Sequence, residues 1–335
     1  MILNPKIYDK DVERVPSRNG FGEGLVEAGK EDPEIVALCA DLTESTRMDG
    51  FRKEFPERFI EVGVAEQNLV TVASGMAAAG KIPFCSSYAM FSPGRCWEQI
   101  RTTICYNDQP VKIVGSHAGI SVGPDGATHQ AIEDMALMRV LPNMVVIAPA
   151  DSIEAKKATL AMARNGKPTY IRLSREKIPV VTTLDTPFEI GKAVTLIEGD
   201  PSTSSGRSGH PDVAIVACGQ MVYRALMAAQ ELKEHGISAR VINMHTIKPI
   251  DAKTLIEAAD ECGAIVTVEE HQMMGGLGSA VAEVISQKYP VPMKIIGIQD
   301  RFGESGEQDE LLEKFGLTTK EIVHGVTSVI RMKRH

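Results

Sequence analysis

Strand-length runs that are apolar almost throughout recur in the first half of this chain: Glu34 to Asp41, Ile82 to Ser86, Val111 to Ser116, Met144 to Ala148 and Thr169 to Leu173. A strand without polar alternation cannot leave one face in water, so each of these must be covered on both sides. The segments between them read as helices, from Arg18 to Lys30, Ala65 to Ala79, Pro93 to Tyr106, Ile132 to Val140 and Ser152 to Arg164. Buried strands alternating with helices imply a parallel sheet with helices on both faces. In such sheets, sites gather in the loops at the strands' carboxyl ends. Ser45, Glu66, Tyr88, His117 and Arg175 all follow predicted strands and so fall at that edge.

The pattern is interrupted by charges and prolines over Glu176 to Pro187 and, after a strand from Ala193 to Ile197, by a loop of low hydrophobicity from Asp200 to Pro211. We place a domain boundary near residue 188, giving units 1–187 and 188–335. The second unit repeats the alternation, with strands over Val213 to Ala217, Ala239 to Asn243, Ala264 to Glu269 and Met293 to Ile298. Its helices run from Met221 to Glu234, Ala252 to Ala259, Gly276 to Tyr289, Gln308 to Phe315 and Lys320 to Arg331. The expected fold class is therefore α/β, as two consecutive doubly wound, largely parallel-sheet domains. A chain of 335 residues is long enough for each to bury its own core.

A balance of 44 acidic against 36 basic residues, net charge −8, argues against nucleic-acid or polybasic membrane partners. An anionic small substrate would need a local cluster of Arg and His. No apolar run approaches a membrane span, and the opening MILNPKIYDKDVER lacks a signal-peptide core, so a cytoplasmic location is expected. Cys39, Cys85, Cys96, Cys105, Cys218 and Cys262 lie mostly in apolar runs without metal-site spacing and read as reduced core thiols.

The stretch around Glu66 carries the first chemical signal. A short strand from Phe59 to Val62 reaches Gly63, which permits a sharp turn, and a helix of small and apolar residues follows. Glu66 sits in its first turn, where an acid ordinarily complements the helix dipole. The helix has almost no polar residues before Lys81, however, so the carboxyl is expected in a poorly solvated crevice. Such a crevice lets a carboxyl hold a proton. Beyond the next strand, Tyr88 and Phe91 could wall a flat ring; packing in the core is their plain alternative.

The second signal is Gly115-Ser-His117 followed by Gly119-Ile-Ser-Val-Gly123-Pro-Asp125-Gly126-Ala-Thr-His129. Glycines between strand and helix let backbone approach a ligand, and two His with an Asp offer donors and acceptors to a polyhydroxylated substrate. The run Gly275-Gly-Leu-Gly-Ser279 does not complete a dinucleotide fingerprint and reads as a closely packed helix start. P-loop and HExxH motifs are missing, which removes the usual NTPases and zincins.

Taken with Gly63-Val-Ala-Glu66-Gln, these motifs make the chain resemble the C-terminal half of a transketolase over essentially its whole length, through Leu173-Ser174-Arg175 and Val268-Glu-Glu270-His271 to Asp300-Arg-Phe-Gly303. The resemblance implies a pyrimidine-binding domain plus a C-terminal domain of a thiamine-diphosphate enzyme. It implies that Glu66 hydrogen-bonds N1′ of the cofactor's aminopyrimidine, with Phe91 stacked on that ring, Tyr88 beside it and Asp41 near the ring amine. His129 would contact the donor's C1 hydroxyl and Asp125 the C2 hydroxyl of an aldose. Arg18, Ser45, His117 and Arg175 would grip a terminal anion, for which a guanidinium gives a bidentate fit. Tyr88 stands where the family usually has Phe, and Gly94 where it often has another aromatic. The family's diphosphate and metal motif, Gly-Asp-Gly with a following Asn, is not in this sequence. The implied Mg²⁺ or Ca²⁺ would then be held mainly by a partner N-terminal subunit, with no metal ligand here, in an α2β2 heterotetramer. The rival expectations are the matching half of a 1-deoxy-xylulose-5-phosphate synthase, a 2-oxoacid dehydrogenase β-subunit, a non-catalytic assembly subunit and, for want of a glycine fingerprint more weakly, a nicotinamide-linked oxidoreductase. Arg18, Ser45 and Arg175 favour transketolase, and intact Glu66, Asp125 and His129 favour catalysis.

Overall fold

The computed structural model describes residues 2–200 and 209–333, so most of the polar loop expected over Asp200 to Pro211 lies outside the described residues. A small antiparallel ribbon pairs β1 (Arg14–Val15) with β8 (Ile178–Pro179). The first main sheet holds β2 (Ile35–Cys39), β3 (Phe59–Glu61), β4 (Ile82–Tyr88), β5 (Lys112–Ser116), β6 (Val145–Ile147), β7 (Thr169–Arg172) and β12 (Thr246–Lys248). Its order is β12-β6-β7-β5-β4-β2-β3, parallel except where β12 meets β6. The second sheet holds β9 (Val194–Ile197), β10 (Val213–Ala217), β11 (Ala239–Asn243), β13 (Ile265–Gln272) and β14 (Met293–Ile298). Its order is β14-β13-β10-β11-β9, with only β9 antiparallel. The largely parallel α/β architecture read from the sequence is the one found.

In the first unit the helices are α1 (Ser17–Glu31), α2 (Asp49–Glu54), α3 (Glu66–Ala78), α4 (Trp97–Gln99), α5 (Asp134–Arg139) and α6 (Ser152–Arg164), α4 running on as a π-helical turn over Ile100–Cys105. In the second they are α7 (Met221–Glu234), α8 (Ala252–Cys262), α9 (Leu277–Lys288), α10 (Gln308–Lys314) and α11 (Thr319–Lys333). The two-faced burial follows strand periodicity. On β2, Val36 and Leu38 enter one core with Cys85, Ile113 and Val146, whereas Ile35, Ala37 and Cys39 enter another with Phe84, Val114 and Ile147. The first of these cores continues into Ala214, Val216 and Ile242 of the second sheet, so the two units share buried apolar surface. All six cysteines are buried and unpaired. No helix of the described residues is long and apolar enough to cross a membrane.

Three details depart from expectation. The helix expected from Pro93 begins only at Trp97, because Gly94 packs on the Met90 carbonyl with no room for a Cβ and the chain keeps turning there. Tyr88 is the last residue of β4 rather than a loop residue. Helix α3 is buried along Leu69, Val70, Ala73 and Ala77, but Gln67, Asn68, Gly75 and Ala78 face outward, so its small residues do not mark burial on every side of this chain.

Candidate active site

The carboxyl ends of β7, β5, β4, β2 and β3 are consecutive neighbours across the first sheet. Arg175 follows β7, His117 follows β5, Tyr88 ends β4, Asp41 and Ser45 follow β2, and Glu66 follows β3. Strand order alone therefore lines up these segments along one edge, the edge where open α/β sheets bind ligands.

At the β3 end, Glu66 begins α3 and is 3 % exposed. Its Oε2 accepts from Arg95 Nη1 at 2.8 Å, and Oε1 has no hydrogen bond among the described residues. The crevice is present, but the carboxyl is not alone in it. Arg95 was not singled out by sequence reasoning, since a basic residue in a presumed helix reads as surface; the turn before Trp97 is what aims it at Glu66. The Arg95 guanidinium also lies 5.0 Å from the centre of the Phe91 ring. Glu61, equally unflagged, accepts from the backbone N–H of Asp41 at 2.7 Å and of Gly63 at 2.9 Å. One carboxylate thus ties the Asp41 turn, where φ is +58°, to the Gly63 turn that launches α3.

Tyr88, Phe91, His117 and His129 form one ring cluster. Tyr88 and Phe91 stack with centres 6.1 Å apart, Tyr88 lies 4.2 Å from His117, and Phe91 meets His129 edge-on at 5.3 Å. His129 Nδ1 is 2.9 Å from the Thr128 hydroxyl.

Next to it lies a positive corner. Arg18 Nη1 donates to the Ser45 carbonyl at 2.8 Å and to His117 Nε2 at 2.6 Å. A guanidinium can only donate, so Nε2 must accept and the His117 proton sits on Nδ1, a buried atom with no partner among the described residues. Burial first, then Arg18 and Arg175, push the His117 pKa down to about 3, so this imidazole stays neutral. Burial, Arg47 and Arg175 also push Arg18 below its ordinary value. Arg18 has no salt bridge among the described residues, while Arg175 reaches Asp125 at 3.5 Å and Glu176 at 3.6 Å. Crowded cations with little countercharge favour a bound anion. Arg47, at φ +62° and held by Asn19, is a third guanidinium here that the sequence did not single out.

The glycine-rich segment between β5 and α5 is anchored from the second unit. Glu270 Oε1 accepts from the Ser121 N–H at 2.7 Å, and Gln130 Nε2 donates to the carbonyls of Ile120 at 3.0 Å and Glu304 at 2.8 Å. At Gly119, φ +85°, a Cβ would overlap the Glu270 carboxylate, so glycine is required twice over. Arg175 Nη1 closes the segment with a 2.6 Å bond to the Val122 carbonyl. Asp125 is exposed at its tip. The other glycine run behaves as read: Glu269 accepts the N–H groups of Leu277 and Gly278, both at 2.7 Å, and Gly276 leaves no room for a Cβ beside that carboxyl. No group of three or more His, Cys, Asp or Glu that could hold a metal occurs among the described residues.

Fold and site together define an α/β protein built on two largely parallel sheets, with its candidate site along the carboxyl edge of the first. Residues 13–180 match the family model "Transketolase, pyrimidine binding domain", and residues 206–322 match "Transketolase, C-terminal domain". The chain is 41 % identical over 316 residues to the 6-deoxy-6-sulfo-D-fructose transketolase subunit SqwH of Clostridium sp. (strain MSTE9), covering 94 % of this chain and 95 % of that one. It is 37 % identical over 309 residues to one of the subunits of the apulose-4-phosphate transketolase of Phocaeicola vulgatus, covering 92 % and 95 %. A solved structure described as a split gene transketolase, inactive beta4 tetramer, superposes with a TM-score of 0.87 at 48 % identity, covering 96 % of this chain and all of that one. The chain belongs to the transketolase family, whose pyrimidine-binding and C-terminal domains make up its length. Members of that family in general depend on thiamine diphosphate and transfer ketol units.

Proposed function

We propose that this chain is the C-terminal subunit of a split thiamine-diphosphate-dependent transketolase, moving a two-carbon ketol unit from an anion-bearing ketose to an aldose. Its two domains, 1–187 and 188–335, supply the pyrimidine end of the cofactor site and the substrate grip. A partner N-terminal subunit supplies the diphosphate and metal end, in an α2β2 assembly acting on cytoplasmic sugars. The observation that carries this reading is the convergence of a buried carboxyl, an aromatic wall and a cation corner along one sheet edge.

The residues present fit the pyrimidine of the cofactor. Glu66 Oε1 is an available acceptor at the start of α3 while Oε2 stays on Arg95, and the stacked Tyr88 and Phe91 give a ring face nearby. When bound, thiamine diphosphate supplies the carbon nucleophile and electron sink for breaking and making the carbon–carbon bond. Glu66 would hold and return a proton at N1′, Phe91 and Tyr88 would orient the ring, and Asp41 would lie near the ring amine. His129 donates to or accepts from the donor's C1 hydroxyl, and Asp125 reads a C2 hydroxyl. Arg18, Arg175, the Nδ1–H of His117 and Ser45 hold the terminal anion. The outward face of α3, with Gly75 and Ala78, suits close approach by the partner.

A single reconstitution tests the reading. The chain is mixed with candidate N-terminal subunits, thiamine diphosphate and Mg²⁺, and glycolaldehyde transfer is followed across ketoses ending in phosphate, sulfonate or a neutral hydroxyl. Transfer that requires both subunits and an anionic terminus supports it. Transfer indifferent to the terminus removes the assigned role of the cation corner, and no transfer with any partner favours an assembly role without catalysis.

A further inference from the structure

A cavity of about 360 Å³ opens between the two units, and none of the candidate site residues named above lines it. One wall is the β1–β8 ribbon, with Arg14 and Lys177, and the others are α7 and α10. Neither Arg14 nor Lys177 makes an ion pair among the described residues, and Arg224 on α7 is held only by the exposed Asp309, at 3.0 Å. Between these cations lie Met221, Met227 and Leu312, and the lining also carries the Glu313 carboxylate, which leaves the cations in excess of the acids. Two uncommitted cations, Arg14 and Lys177, beside an apolar floor suit a small organic anion, the charge at the rim and the body on the floor.

The innermost lining residues reach the substrate edge through side chains alone. Gln308 Nε2 donates to Gln220 Oε1 at 2.9 Å. Gln220 Nε2 in turn donates to Ser121 Oγ at 2.9 Å and to Glu270. Glu270 accepts the Ser121 N–H, four residues before Asp125, and Arg175 fastens the adjoining Val122 carbonyl. Gln220 and Gln308 border the cavity, whereas Ser121 and Asp125 belong to the glycine-rich segment. Both amide groups of this relay must stay paired, since each is partly withdrawn from water.

We infer that this interdomain cavity is a binding site for a small organic anion, and that its occupancy is relayed through Gln308, Gln220 and Glu270 to the segment carrying Asp125. The ligand bridges the β1–β8 ribbon of the first unit to α7 and α10 of the second. It thereby holds the two glutamines in register and stiffens residues 119–126. Any effect on turnover rests on the transketolase reading; binding and stiffening do not, so the test reads those directly.

The test uses the full chain with phenyl phosphate as probe and inorganic phosphate as the body-less control, by titration calorimetry and by amide hydrogen exchange of peptides covering residues 117–130. Phenyl phosphate is expected to saturate one site more tightly than phosphate, and to slow exchange over 119–126. Arg14→Ala/Lys177→Ala, two exposed positions whose loss does not threaten folding, should weaken binding about tenfold or more. At saturating probe, Gln220→Leu should erase the slowed exchange. The inference is overturned if no saturable binding occurs, if Arg14→Ala/Lys177→Ala binds as the parent does, or if exchange over 119–126 is unchanged at saturation. Binding abolished by Arg175→Ala but not by Arg14→Ala/Lys177→Ala would put the probe in the substrate corner, and also overturns it.

Discussion

Substituting Glu66 by Gln separates a catalytic carboxyl from a structural one, because the two roles differ in magnitude and in observable. Glu66 is 3 % exposed and its partner Arg95 is 52 % exposed. Breaking a fully buried pair costs about 3–5 kcal/mol, whereas exposed pairs are worth about 0.2–1 kcal/mol. Here the orphaned guanidinium stays half in water and Gln keeps an oxygen acceptor for it, so the loss belongs near the lower figure, about 1 kcal/mol. For a chain of 335 residues that lowers Tm by only about 1–2 °C. A helix-dipole role predicts about 0.3–1 kcal/mol and nothing more. As the proton relay at N1′, the same change removes general acid–base assistance, about 10²–10⁴-fold, or roughly 2.7–5.5 kcal/mol of barrier. The assay is proton–deuterium exchange at C2 of the bound cofactor, quenched and read by NMR, in reconstituted parent and Glu66→Gln complexes. Calorimetric Tm and cofactor affinity are measured on the same samples. Equal exchange rates with an intact complex would refute the relay, whatever happened to Tm.

Three further outcomes are expected. Arg175→Ala should raise the donor's KM while leaving kcat within a few-fold, since a lost charge-assisted contact of about 1.5–3 kcal/mol acts on bound substrate and transition state alike; unchanged KM with collapsed kcat would show the residue is misassigned. The chain without its partner should fold yet bind thiamine diphosphate and Mg²⁺ only weakly, and a calorimetric titration giving tight, metal-dependent binding of one cofactor would contradict this. Burial pushes the Glu269 pKa up to about 8 against the N–H groups that oppose the shift, so the folded chain keeps a proton that the unfolded chain releases at the ordinary carboxylate pKa. The stability this confers is complete below that ordinary pKa and is lost as pH rises through the folded value, so Glu269→Gln should flatten the fall of Tm with pH in that window; parallel profiles would count against it.

The sequence made the two sheets legible because their strands are buried on both faces and therefore cannot carry polar residues: Ile35 to Cys39 and Val213 to Ala217 announce themselves. Site residues that follow such strands, His117 and Arg175, could be placed at one edge by the same logic, and Glu66 by the short strand that runs into Gly63. What stayed hidden depends on partners remote in sequence. Thr246–Lys248 is three residues long with polar ends, and only the free edge of β6 makes it a strand. Arg95 is indistinguishable from a surface base until the Gly94 turn swings it onto Glu66. Glu270 and Gln220 read as a strand-end acid and an amide before a helix. Their joint hold on Ser121 spans 149 and 99 residues of chain, beyond any local pattern.

The short strand β12 also bears on how such a protein can be divided. It leaves the second sheet's half of the chain, hydrogen-bonds antiparallel to β6, and so closes the rim of the first sheet. A truncation after residue 187 would strip that cover and present a bare row of N–H and C=O groups on β6 to any passing extended peptide. Ala214, Val216 and Ile242 would go with it, opening the shared core to solvent. Expressed alone, residues 1–187 should self-associate rather than behave as a tractable module. Chimeras within this family are better cut so that Thr246–Lys248 travels with the sheet it completes.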